Sequence, residues 1–270
     1  MRGNRLCALW GGCLLLAVFL LAALCPALFT GYGAKEMFAP WLRSTAEHLL
    51  GTNALGYDNL TELVHGARHT LLIGLTSSIL TLLFGAGIGI LAAGNGPAAH
   101  GFNALINVFV LLPKLITLIV LASFFGSSVR TLILLIAAFS WAGTARSVRA
   151  KVIHLDAMPF MECCRIQGYS RWHIAWHHVL PNLYDVLLSR FLLGVNSCIM
   201  MESTLSFLGL GDLYRPTWGS MINFAYQRGA FFRQAYAYLL SPGVCIMLLS
   251  LSFYLISLYF EGRQDTIRDT

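Results

Sequence analysis

Residues 161–182 read MECCRIQGYSRWHIAWHHVLPN, with Cys163 beside Cys164 and three histidines at His173, His177 and His178. His173 and His177 are four apart, a spacing that puts two imidazoles on one helix face where a metal ion can bridge them. The same helix offers no acidic or cysteine ligand. Trp172 and Trp176 repeat the spacing and support a different reading, a polar and aromatic docking face. Neither a metal nor a cofactor is assigned on these residues. Two isolated charges, Lys114 and Glu202, fall inside apolar runs. A lysine at mid-membrane costs about 2.5–3.5 kcal/mol on insertion scales, so its presence needs a reason. Lys114 either lines a path, meeting a carboxylate or an anionic chelate, or pairs with another subunit. A carbonyl freed by Pro113 is a candidate partner for its ammonium. Glu202 either meets cationic groups of a substrate or braces the Leu-Gly-Leu-Gly turn after it. Nucleotide chemistry has no support. GxxxxGK[ST] is absent, and Gly87-x-Gly89-x-x-Ala92 lacks the strand that a dinucleotide site requires. No catalytic residue is expected.

The elements that position these residues are membrane helices. Of 270 residues, 57% are hydrophobic and 11% charged, against roughly 25% charged in a soluble domain. Mean hydropathy is +0.69. Between Arg68 and Lys114 run 45 residues without Asp, Glu, Lys or Arg. With about 20 apolar residues needed per crossing, six spans are expected at about 7–29, 70–93, 103–125, 129–146, 184–208 and 236–260. The fold class is all-α, polytopic. The charge-free stretch from Leu6 to Ala34 exceeds the 7–15 residues of a cleavable signal core. The helix at 7–29 is therefore expected to be a retained signal anchor, and 70–260 a five-helix core. Gly85, Gly89 and Ala93 recur every four residues, as close helix packing requires. His48, His65, His69 and His100 are scattered and read as interfacial. Most of the seven cysteines lie in apolar runs, so no disulfide framework is implied. The net charge of +6 is spread singly between spans, which excludes nucleic-acid binding. Nine basic residues fall on the side of the termini and seven on the other, which favours cytoplasmic termini.

Residues 147–182 form the longest polar excursion on the side of the termini. Pro159 precedes a short helix to about Gln167, Gly168 suits a left-handed helix end, and Ser170 can cap a second helix. Pro181 is expected to stop that helix after Leu180.

Three blocks resemble one family. Glu162-Cys-Cys-x3-Gly168 followed by Leu180-Pro181 resembles the Glu-Ala-Ala-x3-Gly-x9-Ile-x-Leu-Pro signature of bacterial ABC importer permeases, with cysteines standing for the alanines. Glu202-Ser-Thr-Leu-Ser-Phe-Leu-Gly-Leu-Gly211, then Pro216-Thr-Trp218-Gly219-Ser-Met221, is similar to the ESxLSFLGLG…PxWGxM stretch of dipeptide, oligopeptide and nickel permeases of the "C" type. Leu50-Gly-Thr-Asn-Ala-Leu-Gly-Tyr-Asp58 with Gly66-Ala-Arg68 resembles LGTDxxGRD…GAR, departing at Asn53 and Tyr57. The resemblance implies a type I importer permease with six transmembrane helices, in an inner membrane. Its partners would be a second homologous permease subunit, two ATP-binding cassette ATPase subunits, an extracytoplasmic substrate-binding protein and the lipid bilayer. It implies half of a path for peptides or nickel and other metal chelates. Glu162, Cys163, Cys164, Gly168, Trp172, Trp176, Leu180 and Pro181 would then form the segment that couples to the ATPase. The competing class is a stand-alone secondary transporter or channel, which would carry several polar residues at mid-membrane and lack a long polar helical pair. A membrane redox subunit would need histidine pairs inside its spans.

Overall fold

In a bilayer the backbone must satisfy its own N–H and C=O groups, and an apolar chain does so by forming long helices. The computed structural model describes the backbone of residues 2–268 and the side chains of 6–170 and 173–260. Among the described residues no strand forms, and two isolated bridges, Met37 to Tyr57 and Thr52 to Asp58, tie down the segment after the first helix. Five helices there are long and apolar enough to cross a membrane. They are α1 (Arg2–Leu24), α2 (Asn59–Ala92), α5 (Val129–Asp156), α9 (Tyr184–Leu205, extended by a π turn to Leu210) and α11 (Tyr236–Arg268).

The span expected at 103–125 is not one helix. α3 (Pro97–Leu111) and α4 (Lys114–Phe125) meet at an 87° bend. Leu112, placed before a proline, is pushed out of the helical region to ψ 132°, and Pro113 brings no N–H to continue the ladder. The 12 residues of α4 reach only about 18 Å at 1.5 Å per residue, short of a bilayer core of about 30 Å. α3 and α4 therefore make an elbow.

Two helix ends also differ from expectation. α2 begins at Asn59 rather than near 70 because Asp58 caps it, accepting from the N–H and hydroxyl of Thr61 at 2.8 and 2.9 Å. The other Asp58 oxygen lies 3.0 Å from His48 Nδ1, so His48 is a buried partner and not an interfacial residue. α5 continues past 146 to Asp156, and its Arg149 donates to the Ala92 carbonyl at 3.1 Å, capping the far end of α2. This contact puts Ala92 and Asp156 at one end of the bundle, with Asn59 and Val129 at the other.

α2 is the central element, parallel to α5 and antiparallel to α9. A Cβ on Gly85 would lie 2.9 Å from the Trp141 carbonyl, and one on Gly89 2.6 Å from that of Ala145. Only glycine permits this approach of two backbones, as the four-residue spacing suggests. α1 lies along α11, where Gly12 meets the Ser252 carbonyl in the same way. Asn53 replaces the family's aspartate with a two-sided contact. Its oxygen accepts from the N–H groups of Leu55 and Tyr57, and its amide donates to Glu62 at 2.9 Å. An aspartate here would face the Glu62 carboxylate with no proton to offer.

Candidate coupling segment and path residues

At the Asp156 end, α6 (Pro159–Ile166) opens on a proline at its first position, where the missing N–H costs nothing. Its last turn is tied back to α5 by an ion pair between Arg165 and Asp156. Met161 and Cys164 point into an apolar cluster with Val148, Leu155 and Leu183. Glu162 and Cys163 are exposed on the opposite side. The two cysteines are thus not equivalent: Cys164 packs, while Cys163 presents its thiol outward.

Gly168 closes α6 with φ +78°. Its N–H reaches the Arg165 carbonyl and that of Tyr169 reaches Cys164, the paired bonds of a Schellman end. Ser170 then accepts from the His173 N–H at 3.2 Å, the cap its residue type suggests. The second helix does not stop at Leu180. It runs as α7 (Arg171–Ile174), a π turn (Ala175–Val179) and α8 (Leu180–Asn182), then leads into α9. Pro181 has no N–H for the ladder, and the wider π turn makes room for it, with Leu180 N–H bonding back to Ala175. Asn182 adds a side-chain bond to the His178 carbonyl at 2.7 Å.

Trp176 is 62% exposed, while the side chains of Arg171 and Trp172 lie outside the described residues. His173 and His177 stack with ring centres 4.2 Å apart and planes at 15°. Tyr169 stacks on His173 at 4.6 Å. Parallel rings aim their nitrogens side by side rather than at a common point. Among the described residues no three His, Cys, Asp or Glu side chains converge as a metal site would require. The segment offers an exposed aromatic and imidazole ladder on a firmly docked back.

Lys114 is the first residue of α4, half-buried at the elbow. The Pro113 carbonyl is taken by the N–H and hydroxyl of Thr117. Among the described residues Lys114 makes no hydrogen bond or ion pair, so the carbonyl partner expected from Pro113 is not there. A cation at a helix N-terminus also opposes the helix dipole, which leaves its ammonium free for an anion.

Glu202 lies on α9 and is fully buried. Its carboxylate accepts from Ser206 at 2.6 Å, Thr217 at 2.7 Å and Ser203 at 3.3 Å. These bonds bind the end of α9 to the start of α10 (Trp218–Gln227), a helix too short to register as a span. Its signal in the sequence is the pair Thr217 and Ser220, which form a capping box. Trp218, part of the same motif, ties the start of α10 to α2. It is buried, its indole donates to the Leu63 carbonyl at 2.8 Å, and its backbone N–H reaches Thr70 at 3.1 Å. Gly219 lies so close that a Cβ would be 2.5 Å from the Ser203 carbonyl. The two ends of the Glu202–Met221 block, Glu202 to Ser206 and Thr217 to Met221, therefore meet in a buried knot joining α9, α10 and α2.

Residues 85–266 match the family described as binding-protein-dependent transport system inner membrane component. The chain belongs to that family. A dipeptide transport system permease protein, DppC, of Alkalihalophilus pseudofirmus is 29% identical over 270 residues, 99% of this chain and 86% of that protein. A di/tripeptide transport system permease protein, DppC, of Pseudomonas aeruginosa is 30% identical, covering 95% of this chain and 86% of that one. Among solved structures, an inward-facing form of the MetNI methionine ABC transporter superposes with a TM-score of 0.59 at 16% identity, over 74% of this chain and 96% of that one. At that identity the likeness shows the fold. The permease is the membrane component of an ABC importer, and ATP hydrolysis belongs to separate subunits.

Proposed function

We propose that this subunit forms half of an ATP-driven path for short peptides, paired with a second homologous permease and driven by two ATPase subunits. The observation that carries the reading is the segment 159–182. A short helix pair with a packed back, an exposed Trp176 and a left-handed Gly168 between its halves suits insertion into a groove on another protein. Closure of the ATPases would displace α6 and, through its ion pair and packing, the end of α5. The spans would then move between inward- and outward-facing arrangements. Both termini and the coupling segment are cytoplasmic in this reading. The peptide class is supported by the named relatives, both peptide permeases. Lys114, unpaired at the elbow, is the residue we assign to meeting a peptide carboxylate. Glu202, closed inside its knot, braces the far end of α9.

Reconstitution in vesicles with the partner subunits and the binding protein tests this. ATP-dependent uptake of labelled dipeptides is expected, and Lys114→Ala should lower it without loss of assembly or basal ATP hydrolysis. Uptake of nickel chelates but not peptides would overturn the substrate. Reporter fusions after Gly94 and Asp156 should read cytoplasmic, and those within 211–233 extracytoplasmic.

A further inference from the structure

The Asn59 end of the bundle holds a cavity of about 490 Å3, formed where residues 41–52 face the turn 233–237 that leads into α11. Among the described residues only Trp41 and Gln234 combine a side chain with a left-handed backbone, at φ 62° and 56°. Both line this cavity. Such conformations persist where surrounding structure holds them, and they gather at binding sites. Trp41 is held by its N–H on the Asn53 carbonyl at 3.2 Å. The strap after it is fixed by Thr52, whose hydroxyl accepts from Leu42 N–H and donates to the Ala39 carbonyl.

Two arginines line the cavity, Arg43 from the strap and Arg233 from the turn before α11. Neither is in an ion pair among the described residues. Arg233 lies 5.0 Å over the Trp41 ring, which orients the guanidinium without neutralising it. The floor is Asn59, 1% exposed, whose amide donates to the Leu50 carbonyl while its oxygen has no partner. Trp41 and Ala235 in its lining pack against the buried cluster that holds Trp218 and Tyr238, so core side chains back this side of the cavity, and a docking side chain, unlike cargo, needs no route through them.

We infer that this cavity is a socket for an aspartate or glutamate side chain presented by the extracytoplasmic binding protein, its carboxylate between Arg43 and Arg233. Planar guanidinium groups match a carboxylate's paired oxygens, and the charges are complementary in sign. The inference rests on the proposed reading that the Asn59 end faces outward in a binding-protein-dependent importer.

The assembled importer in lipid nanodiscs, titrated with its binding protein, provides the test. Arg43→Glu and Arg233→Glu should each raise the concentration of binding protein needed for half-maximal ATPase stimulation by about tenfold or more. Arg43→Gln and Arg233→Gln should raise it less, and basal hydrolysis should stay unchanged in all four. One Asp→Arg or Glu→Arg change on the binding protein should restore Arg233→Glu. Unchanged stimulation curves in both charge-reversal variants would overturn the inference. A thiol at Ser44→Cys should be shielded from an impermeant maleimide by peptide-free binding protein. Shielding by free dipeptide alone would make the cavity a cargo site and overturn the socket. A wild-type complex indifferent to its binding protein would instead overturn the importer reading beneath both.

Discussion

The proposed coupling segment 159–182 and the Glu202–Met221 knot both carry family motifs, yet they are built in opposite ways. The first is held by local devices: a proline at α6's start, a Schellman end at Gly168, a serine cap at Ser170. Nothing lies within 4 Å of where a Gly168 Cβ would stand. The second is held by tertiary contacts, with a buried carboxylate accepting three hydroxyl bonds and a glycine against a backbone carbonyl. A motif made of local devices can change its partner contacts without disturbing the bundle. A motif made of tertiary contacts cannot change at all without opening it.

That contrast sets an order of effects. Gly219→Ala would drive a Cβ into Ser203 backbone atoms at 2.5 and 2.7 Å. Overpacking of this kind costs about 3 kcal/mol, and the subunit should fail to accumulate in membranes, as immunoblots of the membrane fraction would show. Glu202→Ala comes next. It strands the hydroxyls of Ser203, Ser206 and Thr217 in a buried site, for roughly 2–4 kcal/mol, and should lower the melting temperature in detergent by several degrees. Glu202→Gln keeps an acceptor and should lose less.

Gly168→Val should leave melting nearly unchanged. Its left-handed backbone resists a β-branched residue by about 1–2 kcal/mol, and that strain falls on the junction alone. The ATPase should no longer co-purify, and transport should stop. A fall in melting as deep as that of Glu202→Ala would erase the distinction between the two regions. The smallest effect separates the cysteines. Cys163 should react with maleimide in the isolated subunit and be protected in the full complex, while Cys164 stays silent until denaturation. Equal labelling would mean that α6 does not dock by the face that buries Cys164.

The same contrast explains what can be read from the sequence. Gly168, Ser170 and Pro159 act on neighbours within four residues, so their roles are visible in the chain. The glycines of α2 are visible through their spacing, though the identity of α5 as their partner is not. Pro181 misleads because its usual effect, stopping a helix, is absorbed by a π turn that carries the chain on into α9. The elbow at Pro113 is marked by the proline, but hydropathy runs through it unbroken and conceals an 87° bend. Asp58 extends α2 because His48, ten residues earlier, holds its second oxygen. Glu202 keeps two readings open in the sequence, since only the fold brings Thr217 to it.

α5 has 28 residues, about 42 Å of continuous helix, fused along its length to α2 at Gly85 and Gly89. No joint interrupts it between Val129 and Asp156. A push delivered at one end therefore arrives at the other undiminished, as along the connecting rod of an engine. In the proposed stroke whatever gives way lies elsewhere, and the α3–α4 elbow, with Lys114 at its crook, is where the helical path is already interrupted by an 87° bend.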